Sequence, residues 1–571
     1  MTDDDATIGP DRRSILKIGA TLGTLGITGL AGCTGSENSG SSADNGSGGS
    51  ANNGSGSSSS GNATLQGNGS GSSTTASQLP QGGTLVMGAK QGIETMSPFR
   101  GFLADYLIGE AMYDRLTRVD QDFKVHPNLA RDWEHNEDYT KWTFTLNDGA
   151  TFSNMDGQKV TADDVKATYD HLTSDDFTGS ASSLSGVDSV SAVDEKTVEI
   201  TTEDPDLEFT KRIAETGGAF FVVPKSVLED DPSRLENTDY GSGPLILTNW
   251  NQKNSISFEA NSDYHLNGVN DKPLPFVDKL EWNILSDETQ RANSLSGGRV
   301  DAVSRISPKV TDRVKGQAQV VKQTSGLQYP IILDTKIEPF DNLGVRKAIK
   351  YGLDRSAILE ATAGEGVLGH HSGITPVHTY YNEELPIDEP FGRTARPEKA
   401  KQKLSEAGFD DGFEVKTFYY DDGVPAKAVI AQLFQQQMRK IGIEFEIKRL
   451  TEEKWLADYW NQDGEWYVSN YSTRVLGSTI LKLALRSEGK WNEANWSNKE
   501  FDKAFQAAAT ATDEETKAKN LKKCQKINHD EGAWVGTYHP KLYGAHKDYV
   551  MNYNLYPTYI KNYISQIAID E

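Results

Sequence analysis

Apolar residues change from alternating to helical spacing and back again between positions 413 and 447. The stretch FEVKTFYY (413–420) predicts a strand. The next segment, 425–441, predicts a helix that has on one face Ile430, Leu433, Phe434 and Ile441. Alternation then returns at Ile443, Phe445 and Ile447. A strand, a helix and a strand with short joints make a right-handed βαβ unit, which implies a parallel sheet.

Further elements follow from the same patterns. The segment RPEKAKQKLSEAGF predicts a helix with Pro397 near its start, Gly408 as its C-cap, and inward positions at Ala400, Leu404 and Ala407. Thr161 and Asp164 have the capping-box spacing at the start of another helix. Alternating runs predict strands at 141–146, 197–201 and 279–284. The body of the chain is therefore mixed α/β with several sheets.

The segment 1–33 does not fit this pattern. Its apolar run, Ile18–Gly32, is shorter than the roughly 20 residues that a spanning helix needs, so it predicts an export signal. Arg12 and Arg13 before Ser-Ile-Leu-Lys resemble a twin-arginine (Tat) signal. The sequence Leu-Ala-Gly-Cys ending at Cys33 resembles a lipobox and predicts a lipoprotein with Cys33 as the lipidated residue. The alternative is a plain secretory signal with an incidental cysteine.

Residues 34–81 predict a disordered tether. Ser, Gly and Asn fill 32 of the 47 positions in 34–80, so this segment cannot bury enough apolar surface to fold. Four Asn-x-Ser/Thr acceptors permit glycosylation outside the cell, at Asn45, Asn53, Asn62 and Asn68. The same matches also arise from composition alone.

Charge and cysteine content limit the function further. A net charge of −24 argues against nucleic acid or an anionic membrane surface as a partner, because both need a basic surface. Together with the twin-arginine signal, this charge resembles that of an exported haloarchaeal protein. Cys524 would be the one thiol left after lipidation of Cys33, so we expect no disulfide framework and a buried, inert thiol at Cys524.

An ordered set of segments resembles one family, the extracytoplasmic solute-binding proteins of family 5, the peptide/nickel type that serves ABC importers. The segments are GGTLVMGAKQGIETMSPFR (82–100), 107–172, GSGPLIL (241–247), NSDY (261–264), SLSGGRVDAV (294–303), PFDNLGVRKAIKYGLDR (339–355), EKAKQKLSEAGF (398–409), IGIEFEI (441–447) and WSNKEFDKAF (496–505). Each motif is weak alone, but the collinear set covers nearly all of 82–571.

The resemblance implies an α/β fold of the type II, large peptide-binding class, with two lobes joined by a hinge. Lobe one would comprise 82–325 and 535–571, with an extra subdomain inserted at about 113–235, and lobe two would comprise 326–534. A peptide or another small polar or acidic solute would be trapped between the lobes and passed to a membrane permease and its ATPase. The protein would be a monomer, lipid-anchored on the outer face of the cytoplasmic membrane.

The resemblance also locates a binding strand. In the peptide-binding members, a Trp is followed three residues later by an Asp that binds the ligand's ammonium group. The matching segment here is EWYVSNYSTRVLGS (465–478), with Tyr471 at the aromatic position and Arg474 at the Asp position. A guanidinium is a bidentate partner for carboxylate or phosphate, so we expect an acidic or polar ligand group there. The alternative is that Arg474 pairs with a carboxylate of its own lobe.

Other ligand contacts are expected from loops that face the cleft in the family, at Met96, Ser97, Tyr329, Trp491 and Asn492. Core packing is the alternative for each one. His370, His371 and His378 lie close together, but adjacent residues of an extended chain point to opposite sides and no i, i+4 pair is present. We therefore predict no metal site and no cofactor.

Two other functions remain open on the sequence. An anchored surface hydrolase would need catalytic residues, but His-Glu-x-x-His, a cysteine pair, and Gly-x-Ser-x-Gly outside the tether are all missing from the sequence. The prediction is therefore a protein that is not an enzyme. A binding protein that feeds a membrane sensor would have the same sequence features as one that feeds a permease.

Overall fold

The computed structural model describes residues 79–99, 109–175, 177, 181–214, 220–558 and 564–570. The signal residues Arg12, Arg13 and Cys33, the four glycosylation acceptors and most of the tether lie outside the described residues. Within the described ranges, no helix is both long and apolar enough to cross a membrane.

The strands are, in chain order, β1 (Thr84–Ala89), β2 (Thr117–Val119), β3 (Val125–Pro127), β4 (Ala130–His135), β5 (Lys141–Leu146), β6 (Val187–Ala192), β7 (Thr197–Thr202), β8 (Leu245–Asn251), β9 (Ser255–Ala260), β10 (Lys279–Ile284), β11 (Ala302–Ser304), β12 (Gln319–Thr324), β13 (Ile331–Ile332), β14 (Gly366–Val367), β15 (Phe413–Glu414), β16 (Phe418–Asp421), β17 (Ile443–Glu444), β18 (Ile447–Leu450), β19 (Tyr467–Val468), β20 (Trp534–Val535), β21 (His539–His546), β22 (Val550–Met551) and β23 (Ala568–Ile569).

The helices are α1 (Ala162–Leu172), α2 (Phe209–Arg212), α3 (Lys225–Asp230), α4 (Glu288–Ser296), α5 (Pro308–Thr311), α6 (Leu343–Gly352), α7 (Arg355–Thr362), α8 (Pro397–Glu406), α9 (Pro425–Arg439), α10 (Glu452–Asp458), α11 (Ser478–Ile480), α12 (Lys499–Ala509) and α13 (Glu514–Glu531). A π-helical turn, Leu481–Leu485, follows α11 directly. Short 3₁₀ helices lie at Ser182–Leu184, Pro232–Glu236, Val269–Asp271 and Ile564–Gln566.

The largest sheet has the strand order β12-β21-β11-β1-β10-β9-β8, and β14 pairs with β21. Strand β1 lies between β10 and β11 and is parallel to both. Its side chains Leu85 and Met87 are buried in a core with Leu280 and Ala302. We call the part of the molecule around this sheet lobe one.

A four-stranded antiparallel sheet, β4-β5-β7-β6, forms the centre of a subdomain inserted into lobe one. The predicted strands at 141–146 and 197–201 are β5 and β7, and their inward residues pack in a core of their own. At the start of α1, the Asp164 carboxylate accepts hydrogen bonds from the backbone N–H (2.8 Å) and the hydroxyl (2.7 Å) of Thr161. These bonds explain why the helix begins where the capping-box spacing predicts.

Lobe two is built around the five-stranded sheet β18-β16-β19-β13-β20. Strand β16 is parallel to β18 and β19, and β15 is parallel to β17, so the predicted βαβ unit and its parallel pairing are confirmed. The predicted strand over 413–420 is instead split into β15 and β16. The cause is Trp466, whose indole N–H donates to the carbonyl oxygen of Lys416 at 2.9 Å and removes that oxygen from the ladder.

Helix α8 also agrees with the sequence pattern. Pro397 begins it, and Ala400 and Leu404 are buried. Gly408 adopts φ = 91°, a left-handed conformation that favours glycine, so the chain turns and Phe409 N–H reaches the Leu404 carbonyl oxygen at 2.9 Å. Ala407, predicted to face inward, is half-buried.

The chain passes between the lobes at two adjacent places. Strands β12 and β21 pair in lobe one, and their continuations β13 and β20 pair in lobe two. Between them, the Thr537 hydroxyl donates to the Tyr329 carbonyl oxygen at 2.7 Å, and His539 Nδ1 lies 3.0 Å from the Leu327 carbonyl oxygen. These two crossings form the hinge of a two-lobed α/β fold. The boundaries of the lobes at single residues stay predictions.

Candidate ligand-binding site

The candidate site lies where the chain leaves β19 in the sheet of lobe two. Strand β19 is parallel to β16, and ligands of α/β sheets bind at the carboxyl ends of such strands. Beyond β19, the Tyr471 N–H donates to the Gln328 carbonyl oxygen at 3.0 Å, and the Gln328 N–H donates back to the Tyr471 carbonyl oxygen at 3.1 Å. This bridge attaches the predicted binding segment to the hinge.

Tyr471 is part of the wall behind the site. Its side chain is buried, its ring lies 4.9 Å from the ring of Trp534 and 6.3 Å from that of Trp491, and its hydroxyl donates to the Glu493 carboxylate. Burial, and then the charge of Glu493, raise the pKa of Tyr471 well above its usual value. The hydroxyl therefore stays protonated and serves as a fixed donor.

Glu493 is a buried carboxylate that the sequence analysis missed. It is 2% exposed and also accepts a hydrogen bond from the Ser469 hydroxyl at 3.2 Å. Burial raises the pKa of Glu493, although the hydrogen bonds from Tyr471 and Ser469 oppose that shift. Acidic residues are abundant along this chain, so no local sequence signal separates this buried carboxylate from the solvated ones.

Arg474 provides a positively charged guanidinium in the candidate site. Its guanidinium carbon lies 5.9 Å from the centre of the Trp491 ring, and the residue is half-buried. No carboxylate of the described residues lies within ion-pair distance of Arg474, and its buried Nε has no hydrogen-bond acceptor there. The alternative prediction is an ion pair between Arg474 and a carboxylate of its own lobe. No carboxylate forms such a pair in the part of the chain that the structure covers.

Backbone contacts hold the Arg474 segment from two sides. The Arg474 carbonyl oxygen lies 2.9 Å from His378 Nε2. The preceding hydroxyl, of Thr473, donates to the Pro557 carbonyl oxygen at 2.8 Å and is almost fully buried. The position of Arg474 therefore depends on residues far away in the chain.

The other predicted contacts are dispersed. The Trp491 ring contacts both the Tyr471 ring and the Arg474 guanidinium. The side-chain amide of Asn492 instead donates to nearby carbonyl oxygens, those of Ser487 at 3.3 Å and Trp496 at 2.8 Å. Tyr329 lies in the hinge, with its ring 5.5 Å from that of Tyr538. The ligand-binding roles of Tyr329 and Asn492 stay predictions.

Met96 and Ser97 lie in lobe one, and both are buried. Met96 packs in the core of that lobe, where its N–H donates to the Glu236 carbonyl oxygen at 3.1 Å. The Ser97 N–H donates to the Thr95 hydroxyl at 3.1 Å. No hydrogen bond, ion pair or ring contact among the described residues joins either one to Arg474, and their roles too stay predictions.

The three histidines of the 370–378 segment are buried. His370 Nε2 lies 2.6 Å from the Leu385 carbonyl oxygen, and burial lowers the pKa of His370 and of His378 to about 4. No cluster of three or more His, Cys, Asp or Glu suited to a metal ion occurs among the described residues.

Comparison with known proteins identifies similar chains. The model of the family "Bacterial extracellular solute-binding proteins, family 5 Middle" matches residues 124–492. Heme-binding protein A of Haemophilus influenzae is 27% identical over 477 residues, covering 75% of this chain and 82% of that protein. The glutathione-binding protein GsiB of Salmonella paratyphi A is 26% identical over 466 residues, covering 79% and 87%.

Among solved structures, HbpA2 from Haemophilus parasuis superposes with a TM-score of 0.75 at 21% identity, covering 86% of this chain and 100% of that one. This likeness confirms the predicted type II two-lobed fold. The relatives named here are bacterial, so they give no support to the haloarchaeal source that the charge and leader favour.

Proposed function

The chain belongs to family 5 of the bacterial extracellular solute-binding proteins, and we propose that it is the substrate-binding component of an ABC importer. It captures a peptide or another small solute between its lobes and delivers that solute to a membrane permease driven by an ATPase. It is a binding protein and not an enzyme. The group that it recognises in lobe two is a carboxylate or another acidic group.

Arg474 is the observation that supports this ligand chemistry. The half-buried Arg474 guanidinium has no ion pair in the described chain and its buried Nε has no acceptor there, and an anionic ligand group would supply one. A hydrogen bond to a charged group contributes about 1.5–3 kcal/mol. The face of Trp491 beside it offers an apolar surface for the rest of the ligand.

The proposed location rests on the sequence of the leader. The lipobox-like residues before Cys33 and the Ser/Gly/Asn-rich tether fit a lipid anchor on the outer face of the cytoplasmic membrane. A flexible tether of about 47 residues has a reach of roughly 40 Å, which keeps the lobes close to a permease. Monomeric protein suffices for this role.

Native mass spectrometry on protein purified from its own host tests the proposal. The bound compound is released from the complex and identified. A single carboxylate-bearing compound would support the role of Arg474. A mixed series of peptides would keep the importer role but contradict recognition of an acidic group at Arg474, and turnover of the released compound by the protein would contradict the binding-protein role.

Calorimetric titration with the released compound then tests Arg474 itself. We expect Arg474→Gln to weaken binding by 10-fold or more, because about 1.4 kcal/mol corresponds to a factor of ten. Arg439→Gln is the control, since Arg439 is an exposed residue at the end of α9 and the next strand, β17, pairs with β15 outside the five-stranded sheet that carries the site. Equal affinities of Arg474→Gln and the wild type would show that Arg474 does not bind the ligand.

A further inference from the structure

We propose that His378 is a positioning residue that couples docking of the inserted subdomain on lobe two to the placement of Arg474. The inference builds on the proposed function in taking Arg474 as a ligand contact. The contacts run from Phe123 in the inserted subdomain, through the His378 ring, to the Arg474 backbone.

The hydrogen bonds around His378 assign its protons. The Thr375 backbone N–H lies 3.2 Å from Nδ1, and the Thr375 hydroxyl lies 2.9 Å from the same atom. A backbone N–H can only donate, so Nδ1 is the acceptor and Nε2 carries the proton. Nε2–H therefore donates to the Arg474 carbonyl oxygen at 2.9 Å. The neutral ring therefore accepts hydrogen bonds from Thr375 on one side and donates one to Arg474 on the other.

Two groups fix the His378 ring itself. Phe123, at the turn between β2 and β3, is 1% exposed, and its ring stacks on that of His378 at 5.8 Å and 16°. Gly477 approaches so closely that a Cβ at this position would lie 2.9 Å from the Cγ of His378. The ring cannot shift without moving Phe123 or the segment that carries Arg474.

Further contacts between the inserted subdomain and lobe two lie beside His378. Val475, directly after Arg474, packs with Val119, Phe123 and Ala214 in a small apolar cluster. Beside it, Lys211 Nζ donates to the Thr379 hydroxyl at 3.2 Å. The subdomain therefore contacts the residues on both sides of the hydrogen bond between His378 and Arg474.

A consequence for binding follows from this arrangement. When the inserted subdomain contacts lobe two, the hydrogen bond from His378 holds the backbone of Arg474. The guanidinium then extends from a fixed backbone position. When the lobes separate, Phe123 leaves the ring and the 474–478 segment loses a support. The inserted subdomain, which does not contact Arg474 through any hydrogen bond in the described ranges, thereby contributes to recognition of the acidic group.

Hydrogen–deuterium exchange on the full-length, ligand-free protein tests the coupling. We expect peptides covering 471–478 to exchange about fivefold faster in Phe123→Ala and in His378→Ala, since each change removes a support equivalent to one hydrogen bond. His378→Gln should restore slow exchange, because its side-chain amide can donate to the Arg474 carbonyl oxygen. A merely structural role of the ring would show no such rescue.

Tyr139→Ala is the matched control. Tyr139 also lies at a hairpin turn of the inserted subdomain with positive φ, and its ring stacks on His135 of the same subdomain at 4.0 Å. Its loss should leave exchange at 471–478 unchanged. Circular dichroism checks that Phe123→Ala is folded. If it is not, Phe123→Leu is used in its place.

Unchanged exchange at 471–478 in folded Phe123→Ala or Phe123→Leu would overturn the coupling. Equal exchange in His378→Gln and His378→Ala would overturn the role of the Nε2 hydrogen bond. Because no ligand is present, these results are independent of whether Arg474→Gln weakens binding, so failure of this inference and failure of the proposed function are distinguishable.

Discussion

The Glu208 carboxylate of the inserted subdomain lies 3.3 Å from the Lys517 ammonium group of lobe two, and their side chains are only 10% and 6% exposed. Lys211 also lies 3.9 Å from Glu208. This ion pair joins α13 of lobe two to the segment just before α2. It is shielded from water only while the subdomain and lobe two are in contact.

We expect Lys517→Met to favour separated lobes. The change leaves Lys211, at 3.9 Å, as a weaker partner of Glu208, so the cost should be part of the about 3–5 kcal/mol that an uncompensated buried charge costs. Lobe separation relieves much of that cost by hydrating Glu208. Small-angle X-ray scattering should therefore show a larger radius of gyration for the ligand-free variant.

Lys526→Met is the control on the same helix. Lys526 forms an exposed i,i+4 pair with Asp530, and such pairs contribute at most about 0.5 kcal/mol. Its radius of gyration should equal that of the wild type. The same radius for Lys517→Met would mean that this ion pair does not hold the lobes together.

The pair between Lys427 and Asp421 provides a second prediction. Both side chains are fully buried in lobe two, and the Lys427 ammonium group also lies 4.2 Å from the centre of the Trp455 ring. We expect Lys427→Met to lower the free energy of unfolding by about 3–5 kcal/mol, because Asp421 is left charged and unpaired. Guanidinium unfolding measures this change.

The double variant Lys427→Met/Asp421→Leu isolates the cause. Removal of both charges should recover most of the lost stability, since a well-packed apolar pair avoids the desolvation cost. Lys454→Met, which breaks an exposed pair with Asp458, should change stability by less than about 1 kcal/mol. A double variant as unstable as Lys427→Met would indicate a packing defect.

Stability should fall as the solution becomes acidic. Burial lowers the pKa of His370, His378 and His539 to about 4 and that of His529 to about 2. Their pKa is about 6.5 in the unfolded chain, so the unfolded state binds more protons below pH 6.5 and stability rises with pH. Each such histidine contributes up to about 3 kcal/mol, lost progressively between pH 6.5 and 4.

Buried carboxyl groups oppose this trend, Asp239 most clearly. Burial raises the pKa of Asp239 to about 6, so the folded state keeps a proton on Asp239 between pH 4 and 6 and gains stability as the pH falls. Burial also raises the pKa values of Asp164, Glu452 and Glu493, but the large downward shifts of the four histidine pKa values outweigh these carboxyl groups. Guanidinium unfolding from pH 8 to pH 4.5 should show a net loss toward acid with a shallower slope for His370→Gln. A flat profile would contradict the assignment of neutral histidines.

Gly477 should not tolerate a side chain. A Cβ at this position would meet Cγ of His378 at 2.9 Å, and overpacking of this kind costs about 1–3 kcal/mol. We therefore expect Gly477→Ala to lower the thermal midpoint by several degrees. Gly149→Ala is the control, because a Cβ there has His265 Cβ as its nearest neighbour, at 3.7 Å. Equal midpoints for the two variants would show that the His378 contact is loose.

Thiol counting tests both cysteines. The Cys524 side chain is fully buried, as the sequence predicts, and burial raises the pKa of its thiol to about 12. The mature native protein should therefore show no reactive thiol toward Ellman's reagent. After denaturation it should show one thiol if Cys33 is lipidated. Two thiols would contradict lipidation, and intact-mass measurement of the N-terminal peptide checks the attached lipid.

Much of the local structure of lobe two could be predicted from the sequence. Helix α8 and the βαβ unit follow from apolar spacing, Pro397 and Gly408, which act over a few residues. The split of the 413–420 strand could not be predicted, because the hydrogen bond that causes it comes from Trp466, some 50 residues further along the chain.

The sequence by itself determined the family and the two-lobed α/β class, since ordered motifs and local periodicity are written along the chain; the match of Arg474 to the aspartate of the peptide-binding members stays a prediction. The tertiary structure alone decided that Tyr471 bonds to Glu493, that Arg474 lies over Trp491 without an ion pair in the described chain, and that His378 connects Arg474 to Phe123. The longest of these contacts, between Phe123 and His378, joins residues 255 positions apart (378 − 123), and only the packing of the lobes and the inserted subdomain brings such residues together.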